Sequence, residues 1–485
     1  MVAAEALAGL AGVALFAAPG AGLAELLPAV RAFGTGHRLA YAWLLGVAWT
    51  AGLLYALSHF FAVPLRAPAI LAVAALPAVA GAVSWLRRRR LPSRSSKTKP
   101  WEWLIVAVCA AVSLAVLCET LTNPVLDWDG WMTWAAQARY MRHEGTVDPS
   151  VLTQRGWYVS HPWYPLLLPV AMVAVLETTH ADWDDPVFRP FYAAFFPVWL
   201  LVIYGGARAL AGRAAAGWTT LAAALLPVPA FELAGGAVSA YSDLPLACFY
   251  GGGLALLLTP RLRPSAGLAA GILLAATALT KAEGAALAPA ALVFGGVYSW
   301  RHWRQNRGPL AMAPLPLGLA FILLFSWRAG IPERFESYEK IVSWSFLWPG
   351  ILTRAPRIAA AVRAQMGDFS AWGFFWWTAP LVLAAGAAGS RGLRRRATLP
   401  LLLAVAAPLG VAWISYTISL TPEFIVQTSW NRFLIQASVP GLLLLALALR
   451  NVLRSLRVLR ASSRARDLPE RRLSRLRSRR RRTPA

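Results

Sequence analysis

Apolar residues in this chain come in long unbroken runs rather than in alternation, and thirteen such runs can be marked along it. They lie near 3–19, 40–61, 67–86, 102–118, 191–207, 214–231, 244–258, 265–280, 285–300, 310–327, 371–389, 398–419 and 433–449. A helix needs about 20 apolar residues to cross a bilayer, because hydrocarbon tolerates only a backbone that satisfies its own hydrogen bonds. The pattern therefore predicts an all-α polytopic membrane protein with about 13 transmembrane helices. The start of the chain lacks a basic n-region and carries Glu5, so a signal peptide is not expected there.

Two polar intervals, Glu119–Pro190 and Arg328–Ser370, are too long to be plain connectors. Within the first, Trp131 to Met141 has a helical spacing that puts Trp131, Trp134, Ala135 and Ala138 on one face. It predicts an amphipathic helix in the membrane interface, with its tryptophans at headgroup level. Further on, "GWYVSHPWYPLLLPV" predicts a short re-entrant or interfacial helix after His161.

Composition sharpens the class. Hydrophobic residues make up 58% of the chain and charged residues 14%, against about 25% charged in a soluble domain, which excludes a water-soluble globule. Cys109, Cys118 and Cys248 all sit in apolar stretches, which excludes a disulfide or zinc scaffold. The net charge of +25 is concentrated in alternate loops: Arg31 and Arg38; Arg87–Arg90 with Arg94, Lys97 and Lys99; Arg208 and Arg213; Arg261 and Arg263; Arg301, Arg304 and Arg307; Arg391 and Arg394–Arg396; and the tail from Arg450. The positive-inside rule makes these loops cytoplasmic, with the N-terminus outside and the C-terminus inside. The Arg-rich tail, 450–485, fits anionic lipid headgroups. Without interleaved aromatics to stack on bases, it does not fit nucleic acid. Richness in Ala and Arg points to a GC-rich bacterial genome, and hence to a bacterial cytoplasmic membrane.

The remaining charges gather at one face. Asp127 and Asp129 follow a span, Asp243 and the pair Lys281 and Glu283 stand at the outer ends of two more, and Arg432 stands at the outer start of the last. Each has an ordinary structural explanation: a helix cap, an ion pair or a snorkelling arginine. Together with His161 they cluster at the outer boundary, while the middles of the spans are nearly free of charge. A transporter is expected to place polar groups near the midplane instead. Chemistry or binding at the lipid–water boundary is the better expectation.

Taken in order, the acidic motif, "ARYM", "HPWYPLLLP", "YSDLPLA", "TKAEG" and "NRFLIQASVP" resemble the polytopic GT-C glycosyltransferases, which include dolichyl-phosphate-mannose protein mannosyltransferases and bacterial lipid A aminoarabinose transferases. The resemblance covers 102–449, with outer loops 119–190 and 328–370. It leaves 1–101 as three additional helices with a basic loop, and 450–485 as the tail. It implies an inverting transfer of a sugar from a polyprenyl-phosphate carrier to a lipid, protein or glycan acceptor outside the membrane. Asp129 matches the general base, with Asp127 as its orienting partner or an alternative base. Asp243 matches a second acidic position, orienting the acceptor or Lys281. Lys281 and Arg432, with Arg139 or His161 as additions, would hold the donor phosphate, and Glu283 would support them. No cofactor is required, and a divalent metal is left open. One departure stands out: many relatives carry adjacent Asp-Glu, whereas here Gly130 follows Asp129. The alternatives are a transporter or flippase for polyprenyl-linked lipids, a non-catalytic membrane scaffold, and an oligosaccharide ligase using a diphosphate-linked glycan.

Overall fold

The computed structural model describes residues 2–87, 99–153, 161–181, 185–259, 263–300, 303–332, 344–388, 393–419 and 421–480. The basic runs at 88–98 and 481–485 lie outside the described residues, as do Arg261, Arg301 and Arg391 and the side chains of the tail beyond 455. Among the described residues the chain is helical, without strands.

The first three long helices are α1 (Val2–Leu26), α2 (Thr35–Phe61) and α3 (Ala67–Leu86). Then come α4 (Pro100–Thr122), a π-helical turn (Gly130–Ala135), α5 (Ala136–Glu144), α6 (Leu167–Thr179), α7 (Asp185–Ala193), α8 (Phe195–Ala211) and α9 (Arg213–Ala224). The centre of the chain supplies α10 (Asp243–Leu257), α11 (Pro264–Thr280), α12 (Gly284–Ser299), α13 (Trp303–Met312) and α14 (Pro314–Ala329). The last are α15 (Trp344–Met366), α16 (Phe375–Ala388), α17 (Leu393–Ile418) and α18 (Pro422–Arg480). Several open on proline, which needs no N–H in the first helical turn, among them α4, α11, α14 and α18.

Among the described residues, eight helical stretches are long and apolar enough to cross a membrane: Ala4–Leu26, Thr35–Phe61, Ala67–Leu86, Pro100–Thr122, Asp185–Ala211, Asn306–Ala329, Ala397–Ile418 and Pro422–Ser455. The count of thirteen expected from apolar runs is not confirmed. The shortfall has a physical origin. The run at 214–231 breaks at Leu225–Leu226 into the 12-residue α9 and a five-residue helical turn, Pro227–Phe231, that opens on proline. Helices α10, α11 and α12 have 15, 17 and 16 residues, and α16, in the run expected at 371–389, has 14. At 1.5 Å per residue they reach about 21–26 Å, short of a hydrocarbon core of about 30 Å. Every residue of α10 is buried, so protein rather than lipid surrounds its ends. Non-helical backbone is tolerated at such a depth on that condition.

The centre of the bundle is α8, α10, α11 and α18, with α10 packed against the other three. The three N-terminal helices do not stand apart: α1 packs against α2, α3, α6 and α7, and α2 reaches α8 and α11. Their close approach depends on bare glycines. A Cβ on Gly20 would fall 1.8 Å from Ala42 O, and one on Gly22 would fall 1.9 Å from Pro77 O. Such small-residue contacts let helix backbones touch where no hydrophobic force drives them together.

The two outer intervals hold structure of their own. Helix α6 has 13 residues, and Leu167 to Leu176 are all buried, so it lies inside the bundle against α1, α2 and α5 rather than on its surface. The amphipathic segment also departs from expectation. It begins as a π turn, and Trp134, Ala135 and Ala138 are buried as the spacing requires, but Trp131 is exposed. A π turn holds more residues than the 3.6 of an α-helix, which swings Trp131 off the shared face.

Replacing Gly22 with Ala should lower stability by about 1–3 kcal/mol through overpacking. Gly410→Ala, where nothing lies within 4 Å of the new methyl, should be neutral or stabilising by up to about 1 kcal/mol. Thermal unfolding in detergent would check the contrast. Equal midpoints for the two variants would refute the glycine-contact account.

Candidate functional site

Asp243 opens α10, where a carboxylate meets the positive end of the helix. It is fully buried. Its Oδ1 accepts from Lys281 Nζ at 2.8 Å and Gln436 Nε2 at 2.7 Å, and its Oδ2 accepts from Arg432 Nε at 3.0 Å. Another edge of the same guanidinium reaches Asp129, with Nη1 and Oδ2 2.8 Å apart. Lys281 in turn lies 3.1 Å from Glu283 Oε1. Five charged side chains from four separate segments thus form one continuous network.

Local structure explains how each side chain arrives. Lys281 ends α11 in an extended conformation, φ −156° and ψ 159°, so the chain opens before α12 and the ammonium turns inward. Arg432 and Gln436 are one helical turn apart on α18 and share a face. The segment between residues 232 and 242 is a tight turn tied by Ser239, whose hydroxyl accepts from the N–H groups of Gly235 and Tyr241 and donates to Gly236 O. Gly235 has φ +120°, and an added Cβ would lie 3.1 Å from Arg432 Cγ. Ala240 sits at φ +56°, a left-handed backbone of the sort that strained functional loops hold.

Asp129 precedes the π turn, and such turns recur at functional sites. Its backbone N–H donates to the Tyr241 hydroxyl at 3.1 Å, and the Tyr241 ring lies 4.7 Å from the Arg432 guanidinium carbon in a cation–π contact. Burial, with the Asp129 carboxylate beside it, holds the Tyr241 hydroxyl well above its usual range, so it stays a neutral phenol. The glycine after Asp129 also has a reason: a Cβ on Gly130 would stand 2.5 Å from Ser239 O. The 123–130 segment is pressed against the 232–242 turn too closely for any side chain there. Arg189 ties the end of α4 to that turn, donating to Glu119 Oε2 at 3.0 Å and to Val238 O at 2.6 Å, while Asp185 Oδ2 holds the 123–130 segment by accepting from Val125 N–H at 2.7 Å.

Of the residues singled out from sequence, the network contains Asp129, Asp243, Lys281, Glu283 and Arg432. Asp127 is half-buried, and its Oδ1 accepts from Trp128 N–H at 2.6 Å. Its charge, with that of Asp368, acts on Glu232, whose carboxyl is pushed up chiefly by burial. His161 is left-handed at φ +61°, its carbonyl accepts from Gln137 Nε2 at 3.1 Å, and its ring stacks 4.8 Å from Tyr164. Tyr164 stacks on buried Trp134 and lies within electrostatic reach of Arg432, so His161 stands behind an aromatic wall. Arg139 is exposed on α5 and is not a member of the network. Sequence reasoning missed Gln436, Tyr241 and Arg189. Gln436 left a signal, a polar residue one turn beyond Arg432 in an apolar helix. Tyr241 left none among so many aromatics. Among the described residues no three His, Cys, Asp or Glu side chains gather as a metal site.

Chemically, the arrangement offers two cations on a buried counter-ion, flanked by two carboxylates that water can still reach. The side chain of Asp129 is 17% exposed and that of Glu283 15%, against 3% for Lys281. Glu283 Oε2 and Gln436 Oε1 are buried acceptors with no hydrogen-bond donor among the described residues.

Removing the counter-ion should be severe. Asp243→Ala takes away the carboxylate that buried Lys281 and half-buried Arg432 share, leaving each with one outer carboxylate, and should cost about 3–5 kcal/mol. Chemical or thermal unfolding in detergent would measure it, and an unchanged midpoint would sink the counter-ion role.

No protein-family profile, curated protein or solved structure matches this chain.

Proposed function

We propose that this chain is an inverting GT-C-type glycosyltransferase that moves a sugar from a polyprenyl-phosphate carrier to an acceptor hydroxyl at the outer face of a bacterial cytoplasmic membrane. The observation that supports it most is the convergence of Asp129, Arg432, Asp243 and Lys281 at one end of the bundle. The residues named by the resemblance lie far apart in sequence, and a chance likeness of short motifs gives no reason for them to meet.

In this reading the acceptor oxygen attacks the anomeric carbon from the side opposite the phosphate. A glycosidic C–O bond forms as the bond from carbon to phosphate oxygen breaks, and the departing phosphate keeps the electron pair. The acceptor proton passes to Asp129. Arg432 and Lys281 meet the negative charge that grows on the leaving phosphate. Asp243 touches neither reactant: it is the positioning residue that holds both cations in place. The reaction needs no cofactor. The acceptor is a lipid, protein or glycan, and the Arg-rich tail rests on anionic lipid on the cytoplasmic side.

The geometry adds one feature to that scheme. Without substrate, Asp129 is itself the partner of Arg432. A donor phosphate and the Asp129 carboxylate compete for one guanidinium, so donor binding releases the carboxylate to act as base.

Asp129→Asn should therefore reduce sugar transfer about 10²–10⁴-fold while binding the donor several-fold more tightly. Transfer from a polyprenyl-monophosphate sugar in proteoliposomes and equilibrium donor binding would test both halves. Full activity in this variant would overturn the assignment of the base. A preference for diphosphate-linked glycan would instead favour the ligase, and lipid movement without transfer the flippase.

A further inference from the structure

Far from Asp129 lies a second charged feature. Arg450 is eighteen residues beyond Arg432 on α18, about 27 Å along the helix axis. Lys99 caps the far end of α4 from the acidic motif. Between them is a cavity of about 350 Å³, lined by Lys99, Trp101, Glu102, Arg213, Arg450 and Arg454 with the turn at Gly212. Four cations from three distant segments thus share one pocket with a single carboxylate.

Glu102 does not neutralise the group. It is buried and paired with Arg213, and its Oε2 also accepts from Lys99 N–H at 2.7 Å, so its charge is spent within the wall. Arg450 is fixed by donating from Nη1 to Leu210 O at 2.5 Å, which leaves the rest of its guanidinium for another acceptor. The N-terminus of α9 opens on the same cavity behind Gly212, a cap residue with no side chain to satisfy its N–H groups. Trp101 stacks on Trp218, with ring planes 5° apart and centroids at 6.1 Å, which holds the start of α4 against α9. Bringing like charges together in a walled pocket is unfavourable unless an anion completes it. Guanidinium forks and free helix N–H groups match the oxygens of a phosphate.

We propose that this pocket binds a phosphate group, with Lys99, Arg213, Arg450 and Arg454 as its ligands. Exposed Trp103 and Leu104 on α4 and exposed Trp218 on α9 lie beside it and supply an apolar flank suited to acyl chains. A phospholipid headgroup and a free phosphate share the required chemistry, and the experiment separates them. The site is independent of sugar transfer, so its test uses no activity.

The test measures thermal unfolding of the full chain in detergent with phosphatidylglycerol, with diacylglycerol lacking phosphate, or with millimolar inorganic phosphate. Phosphatidylglycerol should raise the midpoint by several degrees and diacylglycerol should not. A shift with phosphatidylglycerol alone identifies a lipid headgroup, and a shift with inorganic phosphate as well identifies a site for the phosphate itself. Lys99 and Arg454 are exposed, so the double variant K99A/R454A should keep the ligand-free midpoint and lose most of the shift. K99R/R454K should keep both. The Arg-rich tail is common to all of these proteins and cannot account for a difference among them. Equal shifts in wild type and K99A/R454A, or no shift with either phosphate compound, would overturn the proposal. If K99A/R454A does not fold, retention of the full shift by R454A alone would do so as well.

Discussion

A carboxylate sealed from water must be met by cations, and at Asp243 two of them meet it. Desolvating an isolated ion costs several kcal/mol, so Asp243 can be buried only with Lys281 and Arg432 in contact. That requirement reaches beyond the three side chains. Lys281 sits at the break between α11 and α12, Arg432 sits on α18, and Asp243 starts α10. Satisfying one carboxylate sets how far along their axes these helices may slide. The remaining features follow: Gln436 completes the coordination, Gly235 makes room for the Arg432 stem, and Tyr241 lies under its guanidinium.

The network is also unbalanced in a useful direction. Two cations face three carboxylates, and the two outer carboxylates are the ones water reaches. Asp243 belongs to the scaffold, whereas Asp129 and Glu283 can give up their partners to a stronger anion. In the proposed reaction Asp129 thus has a resting position, paired with Arg432, and a working one, and the difference between them is the occupancy of Arg432.

The charged residues were legible in the sequence because each stands nearly alone at the end of an apolar run, where charge is expensive to hold without a purpose. Their meeting could only be expected, since distance in the chain says nothing about which helix ends are neighbours. The number of spans was less legible. An apolar run shows that a segment is shielded from water, but α10 is shielded by other helices and so need not reach across a bilayer. Trp131 was misplaced because a 3.6-residue period cannot announce a π turn. Gly130 read as a departure from an acidic pair, and its cause, the Ser239 carbonyl more than a hundred residues away, has no mark in the local sequence.

Helix α18 begins at Pro422, ten residues before Arg432, and so extends about 15 Å past it toward its own start. The first turns of α18 therefore stand beside the network as a wall on one side. For the proposed chemistry that wall limits the directions of approach: an acceptor has to come to Asp129 along α18 or from the side away from it.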